Sequence, residues 1–273
     1  MVKTRIHKEN NYKALFVNGK TLRIKLDSKK PMTELKYPEF YDVKITDKCY
    51  GNCPYCYQNS TSDNDHYNIL DNIKSFFGNM SVNERPFQVA IGGGEPTLHP
   101  DFFECLETFY NLGIMPNYTT NGMSISNELI ENTKKYCGGV AVSIHRHLKQ
   151  NIDKLINEQI KLNLHIMISD KESIDYFFKI YEKYKNKIEY FVLLPIVNFG
   201  RAKEYKIDDK YLFDKLYDLK DTKKITFGAM FHPYLKKNKF MGLSLYDPEM
   251  FSKYLDMKDM SLHKSSFSLN KGV

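Results

Sequence analysis

Apolar and polar residues alternate with a period of two over residues 41–46 of this 273-residue chain, and comparable short runs recur at 87–91, 114–119, 139–144, 162–168 and 188–194. Runs of this length, rich in Val, Ile, Tyr and Phe, predict β-strands. Longer stretches with helical spacing separate or follow them, at roughly 67–79, 101–112, 126–136, 150–161, 173–185 and 208–220. Strands alternating with helices predict βαβ units and therefore a parallel sheet. Six such units are too few for the eight-stranded closed barrel. They leave a three-quarter barrel or an open doubly wound sheet, with residues 225–231 as a further edge strand.

The flanks follow a different pattern. Residues 12–26 read as a β-hairpin, with Asn18-Gly19 suited to its turn and strand-forming residues on both sides. A connector punctuated by Pro31 and Pro38 follows. After Phe231 the periodicity degrades, and the Lys- and Met-rich stretch to Val273 predicts one or two short helices and a frayed end. The chain thus divides into an N-terminal hairpin and connector (1–40), a core of βα units (41–231) and a C-terminal cap or tail (232–273).

Composition narrows the function classes. Hydrophobic residues make up 42% and aromatics 14%, enough for a large core. The formal charge of +7 invites a nucleic-acid partner. The excess is nearly all lysine, however, and the arginines are only Arg5, Arg23, Arg85, Arg146 and Arg201. Arginine is the residue suited to bidentate phosphate recognition, so scattered lysines predict solvated helix faces and make nucleic acid an unfavoured partner. No apolar h-region follows Met1, and no run approaches the about 20 residues of a membrane span. A cytoplasmic protein without a membrane partner is expected, and there clustered cysteines bind metal rather than form disulfides. An odd total of five cysteines agrees.

Three of those cysteines crowd into Cys49-Tyr-Gly-Asn-Cys53-Pro-Tyr-Cys56, directly after the first core strand. Three thiolates can ligate three corners of a [4Fe–4S] cube, leaving one iron open, whereas electron-transfer clusters ordinarily use four. A structural zinc site closed by a fourth ligand such as His66 is the competing reading. A second motif, Gly92-Gly93-Gly94-Glu95-Pro96, ends the next strand. It lacks the Gly-Lys-Ser/Thr ending of a P-loop and the G-x-G-x-x-G spacing of a dinucleotide fingerprint. Its glycines would let backbone approach a ligand closely. Cys49, Gly92, the Thr119-Thr120-Asn121-Gly122 run, Ser143 and Pro195 all fall at C-terminal strand ends, the edge where parallel α/β folds bind ligands.

The cysteine spacing, with Tyr55 before the last cysteine and a Gly-Gly-Glu on the next strand, resembles the radical S-adenosylmethionine (SAM) superfamily over roughly residues 41–202. The resemblance implies a partial (β/α)6 barrel and a [4Fe–4S] cluster held by Cys49, Cys53 and Cys56. SAM would chelate the open iron, and one electron would cleave it to a 5′-deoxyadenosyl radical that abstracts hydrogen from a substrate. The same resemblance assigns SAM contacts to Gly92, Gly93, Gly94 and Glu95 (α-amino group), to Asn121 and Ser143 (ribose and carboxylate), and to the Tyr55 backbone and Leu194 (adenine).

Leu193-Leu194-Pro195 with Gly200-Arg201-Ala202 resembles the peptide-modifying and cofactor-maturing branches. No cysteine follows Cys137, so their auxiliary-cluster domain is not expected. A flavodoxin- or ferredoxin-type electron donor and a peptide or small-molecule substrate are the implied partners. Cys137 and His145 are weak catalytic candidates, one as a radical-quenching thiol and the other, with His147, as a residue facing substrate. Arg201 is a surface residue or a partner for a carboxylate. Two alternative functions stand beside this one: a zinc-stabilised binding module, and the same radical machinery acting on nucleic acid.

Overall fold

The Asn18-Gly19 turn joins two strands as predicted, both residues having positive φ (52° and 83°), but the pairing reaches further back. In this computed structural model, which describes residues 2–202, 205–219, 221–240 and 248–267, the N-terminus forms an antiparallel meander of β1 (Val2–His7), β2 (Tyr12–Val17) and β3 (Lys20–Lys25). The sequence shows only the hairpin, because β1 mixes Val and Ile with Lys, Arg and His. Its apolar residues Val2 and Ile6 are exposed. The inner residues of β2, Tyr12, Ala14 and Phe16, bury against Met32, Leu35, Phe87 and Phe251. Buried Glu39 locks this layer in place, accepting from Tyr12 Oη (2.9 Å) and from the Arg23 guanidinium (3.0 Å). Glu39 directly precedes the first core strand, and Lys3 bonds the Gly113 carbonyl just before the third. The meander therefore covers the N-terminal end of the central sheet.

That sheet holds β4 (Phe40–Lys44), β5 (Gln88–Gly92), β6 (Met115–Thr120), β7 (Val140–Ile144), β8 (Leu162–Ile168), β9 (Tyr190–Pro195) and β10 (Ile225–Phe227), all parallel and in sequence order. Burial alternates along each strand. Tyr41, Val43, Val89, Ile91, Tyr118, Val142 and Leu164 join the core beneath the helices. Residues on the opposite face, among them Asp42, Lys44, Ala90, Gly92, Thr119, Ser143 and His165, line an interior cavity. The helices are α1 (Leu70–Ile73, continued by a π turn over Lys74–Gly78), α2 (Phe102–Asn111), α3 (Asn127–Tyr136), α4 (Ile152–Asn157), α5 (Lys171–Tyr184) and α6 (Asp209–Tyr217). Side-chain caps start three of them. Ser126, Asp170 and Asp208 accept from the backbone N–H groups of Leu129, Ser173 and Tyr211, satisfying donors that a helix N-terminus leaves free.

The C-terminal stretch differs from its expectation. The short helix α7 (His232–Lys237) is present, but β11 (Ser252–Asp256) then pairs in parallel with β4, and β12 (Ser261–His263) pairs antiparallel with β11. The sheet order is β10-β9-β8-β7-β6-β5-β4-β11-β12, an open partial barrel rather than a closed one. Ser-Lys-Tyr-Leu-Asp carries no clear two-residue alternation, so its strand conformation comes from its partner. Lys44 Nζ on β4 reaches Asp256 Oδ2 (3.0 Å) and Asp47 Oδ1 (2.7 Å). Burial alone would lower the Lys44 pKa, but these two carboxylates outweigh it and raise it. The edge strand predicted over 225–231 ends earlier, because Gly228 leads into a 3-10 turn at Ala229–Phe231.

Asp256→Ala should therefore loosen β11 from β4. Lys44 keeps Asp47, so the expected loss is about 1–3 kcal/mol, less than breaking an isolated buried pair, read as a lower urea midpoint.

Candidate active site

The C-terminal ends of the parallel strands converge on a cavity of about 380 Å3. Cys49, Cys53, Tyr55, Cys56, Gly92, Gly93, Gly94, Glu95, Asn121, Ser143, His145 and Leu194 all border it. Of the other residues singled out from sequence, His66, His147 and Arg201 lie outside its lining, and Cys137 is remote from it. It ends α3 and precedes β7, packing at the opposite rim beside Asn18, Gly19 and Met115. Burial pushes its thiol up to about 12, as expected of a small hydrophobe.

The cysteine loop is tied down on both sides. Cys49 N–H donates to Thr61 O (2.8 Å) and Cys56 N–H to Cys53 O (3.2 Å). Arg201 then clamps the loop from beyond β9. Its Nε donates to Cys53 O (3.0 Å), its terminal nitrogens to Ser60 O (3.0 and 3.1 Å), and its backbone N–H to Cys56 O (3.0 Å). Arg201 is therefore neither a surface residue nor a carboxylate partner; it satisfies loop carbonyls. Gly200 permits the approach. Its φ is +60°, and a Cβ there would stand 2.4 Å from Cys56 O and 2.6 Å from Tyr57 O.

All three thiols are free. A Cβ built on Gly51 would sit 3.4 Å from Cys49 Sγ and 3.6 Å from Cys53 Sγ, so both sulfurs border one small space that glycine keeps clear. Burial pushes the Cys53 thiol up to about 12, aided by Cys49 and Cys56 and opposed by Arg201. Burial likewise raises Cys49, against the Gly51 N–H and the Asn121 amide. These thiols hold their protons until a metal replaces them. Among the described residues, no group of three or more His, Cys, Asp or Glu is arranged to share one metal ion. A cubane is held by thiolates, each on a separate iron, and the three cysteines of this loop are a donor set that fits it. His66, the fourth ligand a zinc site would take, is engaged elsewhere. Its Nδ1 lies 3.0 Å from Thr46 Oγ1 and its ring packs on His99.

The glycines also serve the protein's own backbone. Gly93 (φ +123°) lies under Thr46, where a Cβ would meet its carbonyl at 2.3 Å, and a Cβ on Gly94 would meet Lys48 O at 2.2 Å. Gly94 N–H donates to Thr46 O and Glu95 N–H to Lys48 O, both at 2.8 Å. The close approach is thus to the segment leading into Cys49. Gly92 alone has nothing within 4 Å of its would-be Cβ.

Glu95 is buried and its carboxylate is engaged. Oε1 accepts from Thr97 Oγ1 (2.6 Å) and Thr120 Oγ1 (2.8 Å), and Oε2 from Asn121 N–H (2.6 Å). Burial raises its pKa against these bonds. Glu95 thereby fixes the turn that presents Asn121. Gln150, which carried no sequence signal, braces the same rim. Its Nε2 donates to Asn121 O (2.6 Å) and Ser143 O (2.7 Å), and its Oε1 accepts from His145 N–H (3.1 Å).

His145 and His147 both turn toward the cysteine loop. His145 is buried, its ring nitrogens 3.7 and 3.8 Å from Cys53 Sγ, and its Nδ1 2.8 Å from Tyr55 Oη. Burial, with His147 adding, lowers its pKa to about 4. The imidazole is therefore neutral near pH 7, and its Nδ1 shares a hydrogen bond with the Tyr55 hydroxyl. His147 Nε2 sits 3.3 Å from Gly51 O.

Comparison with known proteins identifies the family to which this arrangement belongs. The family model of the Radical SAM superfamily matches residues 43–198, and the chain belongs to that superfamily. Solved structures with the same fold include Streptococcus suis SuiB bound to precursor peptide SuiA, 18% identical with a TM-score of 0.63 over 88% of this chain and 62% of that one. SuiB bound to S-adenosylmethionine gives 16% identity and a TM-score of 0.62 over 88% and 63%. The structure of anSMEcpe with bound AdoMet and a peptide gives 16% and 0.61 over 86% and 76%. An uncharacterized protein of Methanocaldococcus jannaschii is 27% identical over 108 residues, 37% of each chain. The chain thus spans less than two thirds of the length of that relative and of SuiB. Among the described residues, no helix is long and apolar enough to cross a membrane.

Arg201→Met keeps the aliphatic stem and removes the clamp. The Cys53 and Ser60 carbonyls lose charged donors, worth about 1.5–3 kcal/mol each. In metal-free protein, amide hydrogen exchange at Cys56 and its neighbours in the loop should then speed up while exchange in α2 around Cys105, buried in the helix core, is unchanged.

Proposed function

We propose that this chain is a radical SAM enzyme whose [4Fe–4S] cluster is held by Cys49, Cys53 and Cys56, with SAM completing the shell of the fourth iron. One observation carries the reading: three free thiols on one clamped loop border the same cavity as the Gly92–Glu95 segment and the ends of β6, β7 and β9. When bound, the cluster and SAM supply a 5′-deoxyadenosyl radical that takes hydrogen from a substrate.

The chain's own residues bind, orient and shield. Gly92, open on its Cα side, lets SAM's amino end approach the β5 terminus. Glu95 Oε2, with one bond made to Asn121 N–H, has acceptor capacity left for that ammonium. Asn121 and Ser143, held at one level by Gln150, face the ribose and carboxylate. The Tyr55 backbone and Leu194 flank the adenine. His145 is a positioning residue that fixes the Tyr55 ring beside the cysteines. The substrate is a peptide or a small molecule, and the electron comes from a flavodoxin- or ferredoxin-type donor. Support for a peptide comes from the fold shared with SuiB and anSMEcpe, both of which have been seen with peptides.

Oxygen-free reconstitution should give about four irons with matching sulfide per chain. Addition of dithionite and SAM should yield methionine and 5′-deoxyadenosine. Cys53→Ala should abolish cleavage. Zinc without sulfide in protein purified anaerobically, or full iron with no 5′-deoxyadenosine, overturns the reading.

A further inference from the structure

Among the described residues, the cavity below the cysteine rim contains one charged group without a partner. Asp42 lies on the lumen face of β4, opposite Ala90, while Lys44 lies opposite Gly92 at the rim. The two-residue offset puts Asp42 about 6–7 Å deeper. β4 is an interior strand between β5 and β11, so Asp42 borders the cavity and not the outer surface. Among the described residues its carboxyl has no hydrogen bond and no ion pair, and burial alone acts on it, pushing its pKa up to about 7. The other charged groups on the wall are partnered: Lys44 with Asp47 and Asp256, Glu95 with three donor residues.

Among the described residues, no unpaired cationic group lines the wall around Asp42. Tyr254, its register partner on β11, has a buried hydroxyl with no partner, as do Gln58 Oε1 and Ser60 Oγ on the same wall. The Gln58 amide nitrogen is already used on Tyr57 Oη (2.8 Å). His165, on β8, is held neutral by burial, its pKa lowered to about 4, and so does not repel a cation. Ala90, Met167, Leu194 and Met230 add apolar wall. Asp42 is half-buried in the cavity wall, where a carboxylate without a counter-charge is disfavoured, and the orphaned Tyr254, Gln58 and Ser60 atoms beside it also lack partners. A ligand that brings a cationic donor on an apolar stem removes both penalties at once.

We propose that this end of the cavity is the substrate subsite, and that it takes an aliphatic ammonium or guanidinium group against Asp42. This rests on the radical SAM reading and goes beyond it by naming the substrate's chemistry. It also places the hydrogen to be abstracted on an aliphatic chain carrying a terminal cation, lying between Asp42 and the cysteine rim.

The test uses cluster-loaded, oxygen-free protein saturated with SAM, so that SAM's own ammonium already occupies its site. Butylamine and butan-1-ol, equal in length, are compared by saturation-transfer NMR near pH 7. The amine should bind about ten-fold more tightly or better, the ratio expected for one charged hydrogen bond, and Asp42→Asn should erase the preference. Equal binding of the two probes to the unaltered protein overturns the proposal even if the variant does not fold. A preference that survives Asp42→Asn overturns it too. Acetyl-Gly-Lys-Gly-amide, set against its norleucine counterpart, identifies the source. A lysine preference stronger than that for butylamine assigns the cation to a peptide, and an equal one to a small amine, each upholding the ammonium subsite. Iron content and 5′-deoxyadenosine yield, measured on the same unaltered preparation, report separately on the radical SAM reading.

Discussion

The site depends on backbone meeting backbone without side chains between. Gly93 and Gly94 bring the end of β5 against Thr46 and Lys48, and Gly200 brings the segment beyond β9 against Cys56 and Tyr57. The cysteine loop is thus held by strands from opposite sides of the partial barrel, and at each contact a Cβ would overlap a carbonyl oxygen. Three thiols on a free loop would scatter. Held this way, they border one cavity before any metal arrives, so less ordering entropy opposes metal binding.

Polar groups collect on one face of the sheet and apolar groups on the other. Tyr41, Val43, Val89 and Ile91 seal the helix side, while Asp42, Lys44, Thr119, Ser143 and His165 turn into the lumen. A lumen of this kind is costly unless its groups are paired. Most are: Glu95 with Thr97, Thr120 and Asn121, and Gln150 with three backbone groups. Those bonds fix the rim at which SAM chemistry is proposed. Asp42 stands apart from this pattern, and its isolation distinguishes the deep end of the cavity from the rim.

The two terminal segments close the ends of the sheet in different ways. The meander β1–β3 covers its N-terminal end through Tyr12, Arg23 and Glu39. β11 extends its open edge beside β4, fastened by the Lys44–Asp256 pair, and contributes Tyr254 to the cavity. Neither role shows in the local composition of these segments. β1 and β11 are mixed-charge runs that form strands because an unsatisfied sheet edge lies beside them.

The sequence by itself determined the repeating βα order, the strand positions from β4 to β9 within about two residues, and the gathering of Cys49, Gly92, Asn121 and Ser143 at one rim. These are local signals: periodicity and a compact motif act over a few residues, and parallel connectivity then sends every strand end the same way. Tertiary structure alone decided the rest. It turned Arg201 from a surface residue into a clamp, drew in Gln150, parted Cys137 from the site, aimed the glycines at the protein's own loop and left Asp42 without a partner among the described residues of the lumen. Each of those outcomes is set by what lies across the cavity, between residues as far apart as Cys53 and Arg201, and no short-range pattern encodes a partner at that separation.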